Sequence, residues 1–247
     1  MKKISVINYK GGTGKTCTVI NIAHGLVLKG KKVLVIDTDP QGSAGYHLGV
    51  DPKHTLYDIV MGNKTPEQCI EKSRQNIDII CSNERMFPAS IVLSSRKNKE
   101  KIFLEKFDSL TGYDFVLVDC GPSMSLFSQN ALVFSDELWV PVSMEYLSLV
   151  GVKQLLNNIK IINRIFRRNV KISKVIPTLF DKRNNKSKEI LSSLERVFPG
   201  LITSPVRVNV AVSEAAGYRQ TVFEYDPESN GAEDYLKLVK EVLEYDK

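Results

Sequence analysis

The fold is decided by one short stretch of the chain, Lys10-Gly11-Gly12-Thr13-Gly14-Lys15-Thr16. It follows an apolar run at residues 4–8 that is typical of a short buried strand, and it precedes helical spacing of apolar residues over 16–29. Three glycines let the backbone wrap around a phosphate with its N–H groups pointing inward. The N-terminus of the following helix adds the positive end of its dipole. The stretch therefore predicts a phosphate site at the end of a strand.

The polar side chains of this stretch add the chemistry of a nucleoside triphosphate site. Lys15 can reach the β- and γ-phosphates, and the Thr16 hydroxyl can bind Mg²⁺. The general phosphate-loop pattern begins with a glycine where this chain has Tyr9, so that pattern is broken. A second lysine, Lys10, opens the loop instead.

The rest of the chain alternates short apolar runs with helical periodicity. Continuous apolar strands that alternate with amphipathic helices predict an α/β fold with a mostly parallel, twisted sheet and helices on both faces. Ligands of such sheets bind at the carboxyl ends of the strands. No linker divides residues 1–247, and we expect a single ATPase domain without an N-terminal DNA-reading domain. The further strand candidates are residues 33–36, 77–81, 115–118, 138–142 and 172–178, and a long helix is expected around 149–166.

Composition excludes several classes of protein. Hydrophobic residues make up 43% and charged residues 25%, which excludes wholesale disorder. None of the four cysteines forms a C-x-x-C pair, which argues against a zinc ribbon or a thioredoxin-type site. No apolar run approaches the length of a membrane-spanning helix, and we expect a cytoplasmic protein.

The net charge of +6 is unevenly distributed along the sequence. Residues 153–219 hold 14 lysines and arginines but only 4 acidic residues, whereas the rest of the chain has a net charge of −4. A basic segment on a nearly neutral body favours a polyanionic partner.

Several motifs together resemble the ParA/MinD family of P-loop ATPases. Residues 10–16 resemble the deviant Walker A loop of that family, which implies the deviant Walker A P-loop NTPase fold. One departure is Gly121, where the family usually has a second proline, and this change is expected to loosen the switch region without removing the carboxylate next to the metal. The other similar segments are Asp-Thr-Asp-Pro-Gln-Gly at 37–42, Val-Asp-Cys-Gly-Pro-Ser at 118–123, Glu-Tyr-Leu-Ser-Leu-Val-Gly at 145–151, Ser-Glu-Ala at 213–215 and Tyr-Asp-Pro-Glu-Ser-Asn-Gly-Ala at 225–232.

The resemblance implies ATP and Mg²⁺ as cofactors and assigns residues to roles. Thr16 and Asp119 would hold Mg²⁺, the latter through water. Asp39 would orient the attacking water, while Asp37 either shares in the chemistry or only shapes the loop. Lys10 is similar to a signature lysine that crosses to the nucleotide of the other subunit in a sandwich dimer, so the catalytic set is Lys10, Lys15 and Asp39. The nucleotide-binding residues are Lys10, Gly11, Gly12, Thr13, Gly14, Lys15, Thr16 and Cys17.

Three branches of this family compete as interpretations. The first is a partition ATPase that binds nucleoid DNA without sequence preference and answers to a cargo-bound activating adaptor of ParB type. The second is a MinD-like ATPase on membranes, and the third is a metabolic relative such as an amidoligase-like enzyme. A membrane-binding branch would end in a basic amphipathic helix, but residues 233–247 hold five acids and three lysines. The basic segment favours DNA, with Lys182, Arg183, Lys186 and Lys188 expected on one loop, and Arg207 and Arg219 beyond it.

Overall fold

The computed structural model describes residues 1–244 and contains a seven-stranded sheet in the order β3-β4-β2-β5-β1-β6-β7. All neighbouring pairs are parallel except β3 and β4. The predicted α/β class and every predicted strand are confirmed. The strands are β1 (Lys2–Val6), β2 (Val33–Asp37), β3 (Glu71–Arg74), β4 (Ile77–Ile80), β5 (Phe115–Asp119), β6 (Glu137–Ser143) and β7 (Lys171–Thr178).

Helices connect the strands and cover both faces of the sheet. The predicted helix after the glycine-rich loop begins at Lys15, and the predicted long helix extends over 21 residues. The helices are α1 (Lys15–Val27), α2 (Ser43–Leu48), α3 (Leu56–Val60), α4 (Met86–Leu93), α5 (Ile102–Lys106), α6 (Leu126–Phe134), α7 (Tyr146–Phe166), α8 (Asn185–Val197), α9 (Val210–Gly217), α10 (Val222–Tyr225) and α11 (Asn230–Glu244).

The core forms two layers because successive strand residues point to opposite faces of the sheet. In β2, Leu34 and Ile36 join the cluster that contains α5, α6 and α7, whereas Val33 and Val35 join the cluster that contains α1 and α11. Every one of these strand residues is fully buried. Burial on both faces explains why the strand sequences are continuously apolar.

Strand β3 is absent from the sequence-based expectations. It pairs antiparallel with β4 at the edge of the sheet, and its sequence, Glu-Lys-Ser-Arg, has no apolar residue. Residues 181–188 are expected as a surface loop that runs into a helix, and α8 indeed begins within them, at Asn185 with Asn184 as its N-cap. The Asn184 side chain accepts a hydrogen bond from the Lys186 N–H, which stabilises this helix start.

The C-terminal helix supports the expectation of an acidic helix that packs on its own domain. Within α11, Tyr235, Leu238 and Val239 are buried against the layer that contains α1. Residues 245–247, the end of the segment whose charge was counted, lie outside the described residues. No helix within residues 1–244 has the length and apolar character needed to cross a membrane.

Candidate functional site

The glycine-rich loop lies between β1 and α1, at the carboxyl edge of the sheet. Gly12 and Gly14 have φ angles of 70° and 76°. This left-handed backbone favours glycine at both positions. The Thr178 hydroxyl at the end of β7 donates a 2.9 Å hydrogen bond to the Thr13 carbonyl, which anchors the loop to the sheet. The loop is therefore held in a shape that leaves backbone N–H groups free for an anion.

A cavity of about 510 Å³ opens above this loop. It brings together Asp39 and all the predicted nucleotide-binding residues except Lys10. Helix α2 supplies a wall that the sequence analysis did not identify. The residues that line the cavity are Gly11, Gly12, Thr13, Gly14, Lys15, Thr16, Cys17, Asp39, Gln41, Ser43, Tyr46, His47, Pro122 and Ala216.

Lys15 is a cation held in a largely buried position. It is 8% exposed, and its ammonium group donates a 3.1 Å hydrogen bond to the Lys10 carbonyl. Burial lowers the pKa of Lys15, and the neighbouring Asp119 carboxylate opposes that shift. A buried cation is costly unless an anion faces it, so this position suits a phosphate.

Thr16, which lines the cavity, contacts the buried Asp119. The Thr16 hydroxyl donates a 2.7 Å hydrogen bond to Asp119 Oδ2, while the buried Oδ1 of Asp119 has no hydrogen-bond partner. Burial raises the pKa of Asp119 to about 7. A hydroxyl and a carboxylate are oxygen ligands of the kind that Mg²⁺ prefers, and the unpartnered oxygen fits a metal or a metal-bound water. These residues therefore fit a magnesium site.

Asp37 and Asp39 have different environments. Asp37 is fully buried; its Oδ1 accepts the Asp39 N–H at 2.9 Å, and its Oδ2 accepts the Ala44 N–H at 3.0 Å. Both oxygens thus hold the backbone of the loop, which favours a loop-shaping role for Asp37. Asp39 lies at the cavity instead, where its Oδ1 accepts the Gln41 N–H at 3.0 Å.

Gly121 lies against Asp39. A Cβ atom added at Gly121 would stand 3.4 Å from Asp39 Oδ2. The Cβ of the proline that the family usually has at this position would therefore be in van der Waals contact with the Asp39 carboxylate. Glycine leaves space beside the side chain that is expected to orient water.

Lys10 does not line the cavity, because its side chain turns toward the start of α7. Its ammonium group donates to the Glu145 carboxylate and, at 3.2 Å, to the Ser148 hydroxyl. The hydrogen bond from Lys10 lowers the pKa of Glu145. Sequence reasoning missed these two partners, although residues 145–151 had been noted as a similar segment.

The basic residues predicted to bind DNA occupy several environments. Lys182 and Arg183 lie on the loop before α8, whereas Lys186 and Lys188 lie in the first turn of that helix, so the expected single loop is wrong for these two. The side chain of Arg183 is 85% exposed and pairs with Asp181 at 2.9 Å.

Arg207 is tied to α11. Its guanidinium contacts the carboxylates of Asp234 and Glu233, each at 2.6 Å, and these hydrogen bonds raise its pKa. Arg207 therefore has a structural role in joining its segment to α11, with its charge largely compensated. A cavity of about 300 Å³ lies beside Arg207 and its two carboxylate partners, and Lys182 also lines it.

Arg219 lies against α2, at the rim of the nucleotide cavity. Its guanidinium carbon stands 5.4 Å from the centre of the Tyr46 ring, and its backbone is left-handed with a φ of 57°. Arg74 in β3 donates a 2.9 Å hydrogen bond to the Arg219 carbonyl. Arg219 thus contacts other elements than those around Lys182 and Arg207.

Comparisons with known proteins cover nearly the whole chain. A family model described as an AAA domain matches residues 1–172. The chain is 34% identical over 247 residues to the sporulation initiation inhibitor protein Soj of Bacillus subtilis strain 168, with 98% of each chain covered. It is 31% identical over 251 residues to the chromosome partitioning protein ParA of Caulobacter vibrioides strain NA1000 / CB15N, covering 98% of this chain and 94% of that one.

A solved structure has the same fold. Cobyrinic acid a,c-diamide synthase from Mycobacterium smegmatis, with bound ATP analogue and magnesium, superposes with a TM-score of 0.86 at 26% identity. The match covers 99% of this chain and 95% of that one. The likeness therefore includes the phosphate loop, both aspartate segments and the C-terminal helices.

Proposed function

The chain belongs to the ParA/MinD family of P-loop ATPases, and on that premise we propose that it is a partition or positioning ATPase that dimerises with ATP and binds DNA. The observation that carries this proposal is the cavity itself. Lys15, Thr16 and Asp39 line it, and the Thr16 hydroxyl contacts Asp119, which keeps one unpartnered carboxylate oxygen. In this proposal, residues 1–247 form a single ATPase domain.

The ligands of this cavity are ATP and Mg²⁺. The backbone N–H groups of residues 11–16 bind the phosphates, and Lys15 faces the β- and γ-phosphates. Thr16 and Asp119 hold the metal, which neutralises charge on the phosphates when it is bound. Cys17 follows in the first turn of α1 and lines the cavity beside the phosphates.

Asp39 positions the water that attacks the γ-phosphate. Phosphoryl transfer needs positioning and charge stabilisation more than covalent chemistry, so a carboxylate at the cavity suits this role. Asp37 supports it by fixing the backbone N–H groups of Asp39 and Ala44. Hydrolysis is slow in this arrangement until a partner stimulates it.

Lys10 acts in the dimer. A lysine that enters the other subunit's site neutralises phosphate charge much as an arginine finger does. The hydrogen bonds from Lys10 to Glu145 and Ser148 keep it outside its own cavity, which is compatible with a role in trans. Formation of the dimer requires Lys10 to exchange these partners for phosphate.

The dimer binds nucleoid DNA through exposed cations and cycles with ATP hydrolysis. Lys182, Arg183, Lys186 and Lys188 supply phosphate contacts around the start of α8, and Arg219 supplies another; Arg207 contributes less because two carboxylates already engage it. A dimer brings two copies of the patch to one duplex, which makes binding depend on ATP. A cargo-bound adaptor of ParB type stimulates hydrolysis, and release from DNA as ADP forms creates the gradient that moves the cargo.

Anisotropy titrations on random-sequence duplex DNA test this function. We expect binding with ATP, weak binding with ADP and a steep loss of affinity as salt rises, because each phosphate contact contributes about −0.9 to the slope of log K against log salt. Reversal of Arg183 and Arg219 to Glu should abolish DNA binding while ATP-driven dimerisation persists. Lys15→Ala should lose ATP binding and DNA binding together.

Liposome sedimentation run in parallel distinguishes the membrane branch. If the protein with ATP ignores DNA at low salt but sediments with anionic liposomes, the partition function is wrong and the MinD-like function replaces it.

A further inference from the structure

An apolar groove of about 330 Å³ runs between α7 and α8, away from the nucleotide cavity. Apolar side chains from both helices form its walls, and Lys153 stands at its rim. The exposed fraction of Val197 at its mouth is 58%. We call this surface the α7–α8 groove; its lining is Leu149, Val152, Lys153, Leu156, Ser193, Leu194, Val197 and Phe198.

A row of cations accompanies the groove along α7. Lys153, Lys160 and Arg164 are exposed and follow one another at spacings of seven and four residues, which places them on one face of the helix. None of the three has an ion-pair partner within residues 1–244. The sequence from 146 to 180 contains no aspartate or glutamate.

Helix α8 contains two acidic residues, Glu189 and Glu195, and neither forms an ion pair within residues 1–244. Glu189 accepts a 2.7 Å hydrogen bond from the Tyr146 hydroxyl at the start of α7. The row of cations is therefore left without compensation from the neighbouring helix. An apolar groove beside an uncompensated positive row is complementary to an amphipathic helix that carries carboxylates beside its apolar stripe.

We infer that the α7–α8 groove docks an acidic amphipathic helix of a partner protein. The inference goes beyond the proposed function and does not depend on it, because it rests on the groove and its row of cations. DNA would satisfy the cations, but a phosphate backbone offers nothing to fill the apolar groove between Leu156 and Leu194. The apolar walls thus favour a protein helix over a nucleic acid.

The position of the groove links it to the ATPase site. Helix α7 begins at Tyr146, directly after Glu145, which holds Lys10. Leu149, one turn later, already lines the groove. A helix docked there contacts the same element that anchors Lys10, so its binding acts on the lysine through α7.

Selection from a displayed library of single-helix peptides tests the inference. The library fixes apolar residues at positions i and i+4, randomises the other surface positions and is panned against the full chain with ATP and Mg²⁺. We expect acidic peptides to be enriched. Their affinity should fall about tenfold or more in the double variant Lys153→Glu/Lys160→Glu. At two positions of the row of cations, attraction to the peptide carboxylates becomes repulsion. Val197→Asp should weaken the same peptides by placing a carboxylate at the mouth of the groove.

Matched controls separate the groove from general charge. Lys29→Glu/Lys240→Glu makes the same change in net charge at exposed sites outside α7 and α8, in the turn after α1 and on α11. Val92→Asp alters a valine of α4 that is 60% exposed. Both controls should keep peptide affinity. Enrichment of neutral or basic peptides, or equal binding to the groove variants, would overturn the inference.

Two further outcomes assign the surface to another ligand. If Lys153→Glu/Lys160→Glu weakens binding of random duplex DNA more than the control does, and duplex displaces the selected peptides, the row contacts DNA and the inference is wrong. Sedimentation with phosphatidylglycerol vesicles that the same variant abolishes would also refute it. A chain that binds DNA with ATP but selects no groove-dependent peptide refutes this inference alone, whereas failure to bind DNA refutes the proposed function.

Discussion

Asp119 and Asp37 are two buried carboxylates beside the glycine-rich loop. They are register partners at the ends of the adjacent strands β5 and β2, and both are essentially inaccessible to solvent. Burial raises the pKa of both carboxyls, and their mutual repulsion adds to the effect at Asp37. Asp37 is compensated by two backbone N–H groups, whereas Asp119 keeps one free oxygen. The protein without ligand is thus strained at the position that would meet the metal.

Substitution of Asp119 by Asn is expected to stabilise the nucleotide-free protein in a pH-dependent way. The folded pKa of about 7 lies above the ordinary value of 3.8, so the folded state holds the proton more tightly than the unfolded state. The wild-type protein therefore loses stability as pH rises from about 4 to about 7, by roughly 1.4 kcal/mol per pH unit at most. Because Asn does not ionise, its advantage should grow across this window and level off above it. Urea unfolding at several pH values, without nucleotide or magnesium, measures the difference.

ATP and Mg²⁺ provide the control for this effect. With both ligands present, the wild type should regain its stability relative to Asp119→Asn, since the variant binds the metal poorly. An advantage of the variant that stays constant between pH 5 and pH 8 would contradict the assignment of a buried, uncompensated carboxylate.

Helix α1 carries the phosphate loop, and its packing depends on one glycine. A Cβ atom added at Gly25 would stand 2.6 Å from Val239 Cγ2 on α11 and 3.4 Å from the Phe223 ring. The absence of a side chain therefore allows the close approach of α1 and α11. This contact holds the helix whose N-terminus faces the phosphates.

Gly25→Ala is expected to lower the free energy of unfolding. Overpacking of this kind costs about 1–3 kcal/mol, and the better helix propensity of alanine returns at most about 1 kcal/mol. Gly217→Ala is the matched control, because nothing lies within 4 Å of its added Cβ at the end of α9. Urea unfolding should show Gly25→Ala destabilised and Gly217→Ala unchanged or slightly stabilised. Equal stabilities of the two variants would mean that α1 and α11 can separate without cost.

The protein is expected to work as a dimer. Substitutions of Lys10 and Asp39 should affect different steps, dimer formation and ATP hydrolysis respectively. Asp39→Ala should keep ATP and Mg²⁺ but lose the positioned water, so it should accumulate as an ATP-bound dimer with little turnover. Lys10→Ala should bind ATP as a monomer, because its proposed phosphate partner lies in the other subunit. Light scattering with ATP, beside phosphate release, measures both.

The two variants control each other because both change one charged side chain near the same cavity. Calorimetry should give near-normal ATP affinity for each, which excludes a simple loss of folding. A monomeric Asp39→Ala protein, or a Lys10→Ala protein that dimerises normally with ATP, would argue against these roles.

Features that depend on local pattern could be predicted from the amino-acid sequence. Continuous apolar runs predicted the parallel strands, because strands buried on both faces need no polar alternation. The glycines and lysine of residues 10–16 predicted the phosphate loop, because few other functions require that combination before a helix. Strand β3 was not predicted, because a polar edge strand has no alternation of apolar and polar residues.

Contacts between side chains that are distant in sequence could be identified only from the tertiary structure. Lys10 and Glu145 are 135 residues apart in sequence, and Arg207 and Asp234 are 27 apart, so no local pattern predicts either pair. The sequence predicts Arg207 as a DNA contact because its positive charge is visible there. Its pairing with the carboxylates of Glu233 and Asp234 is visible only in the structure. The different environments of Asp37 and Asp39 could also be identified only from the structure. Both acids occupy one short motif, but the twist of the strand end buries the first against backbone N–H groups and leaves the second at the cavity.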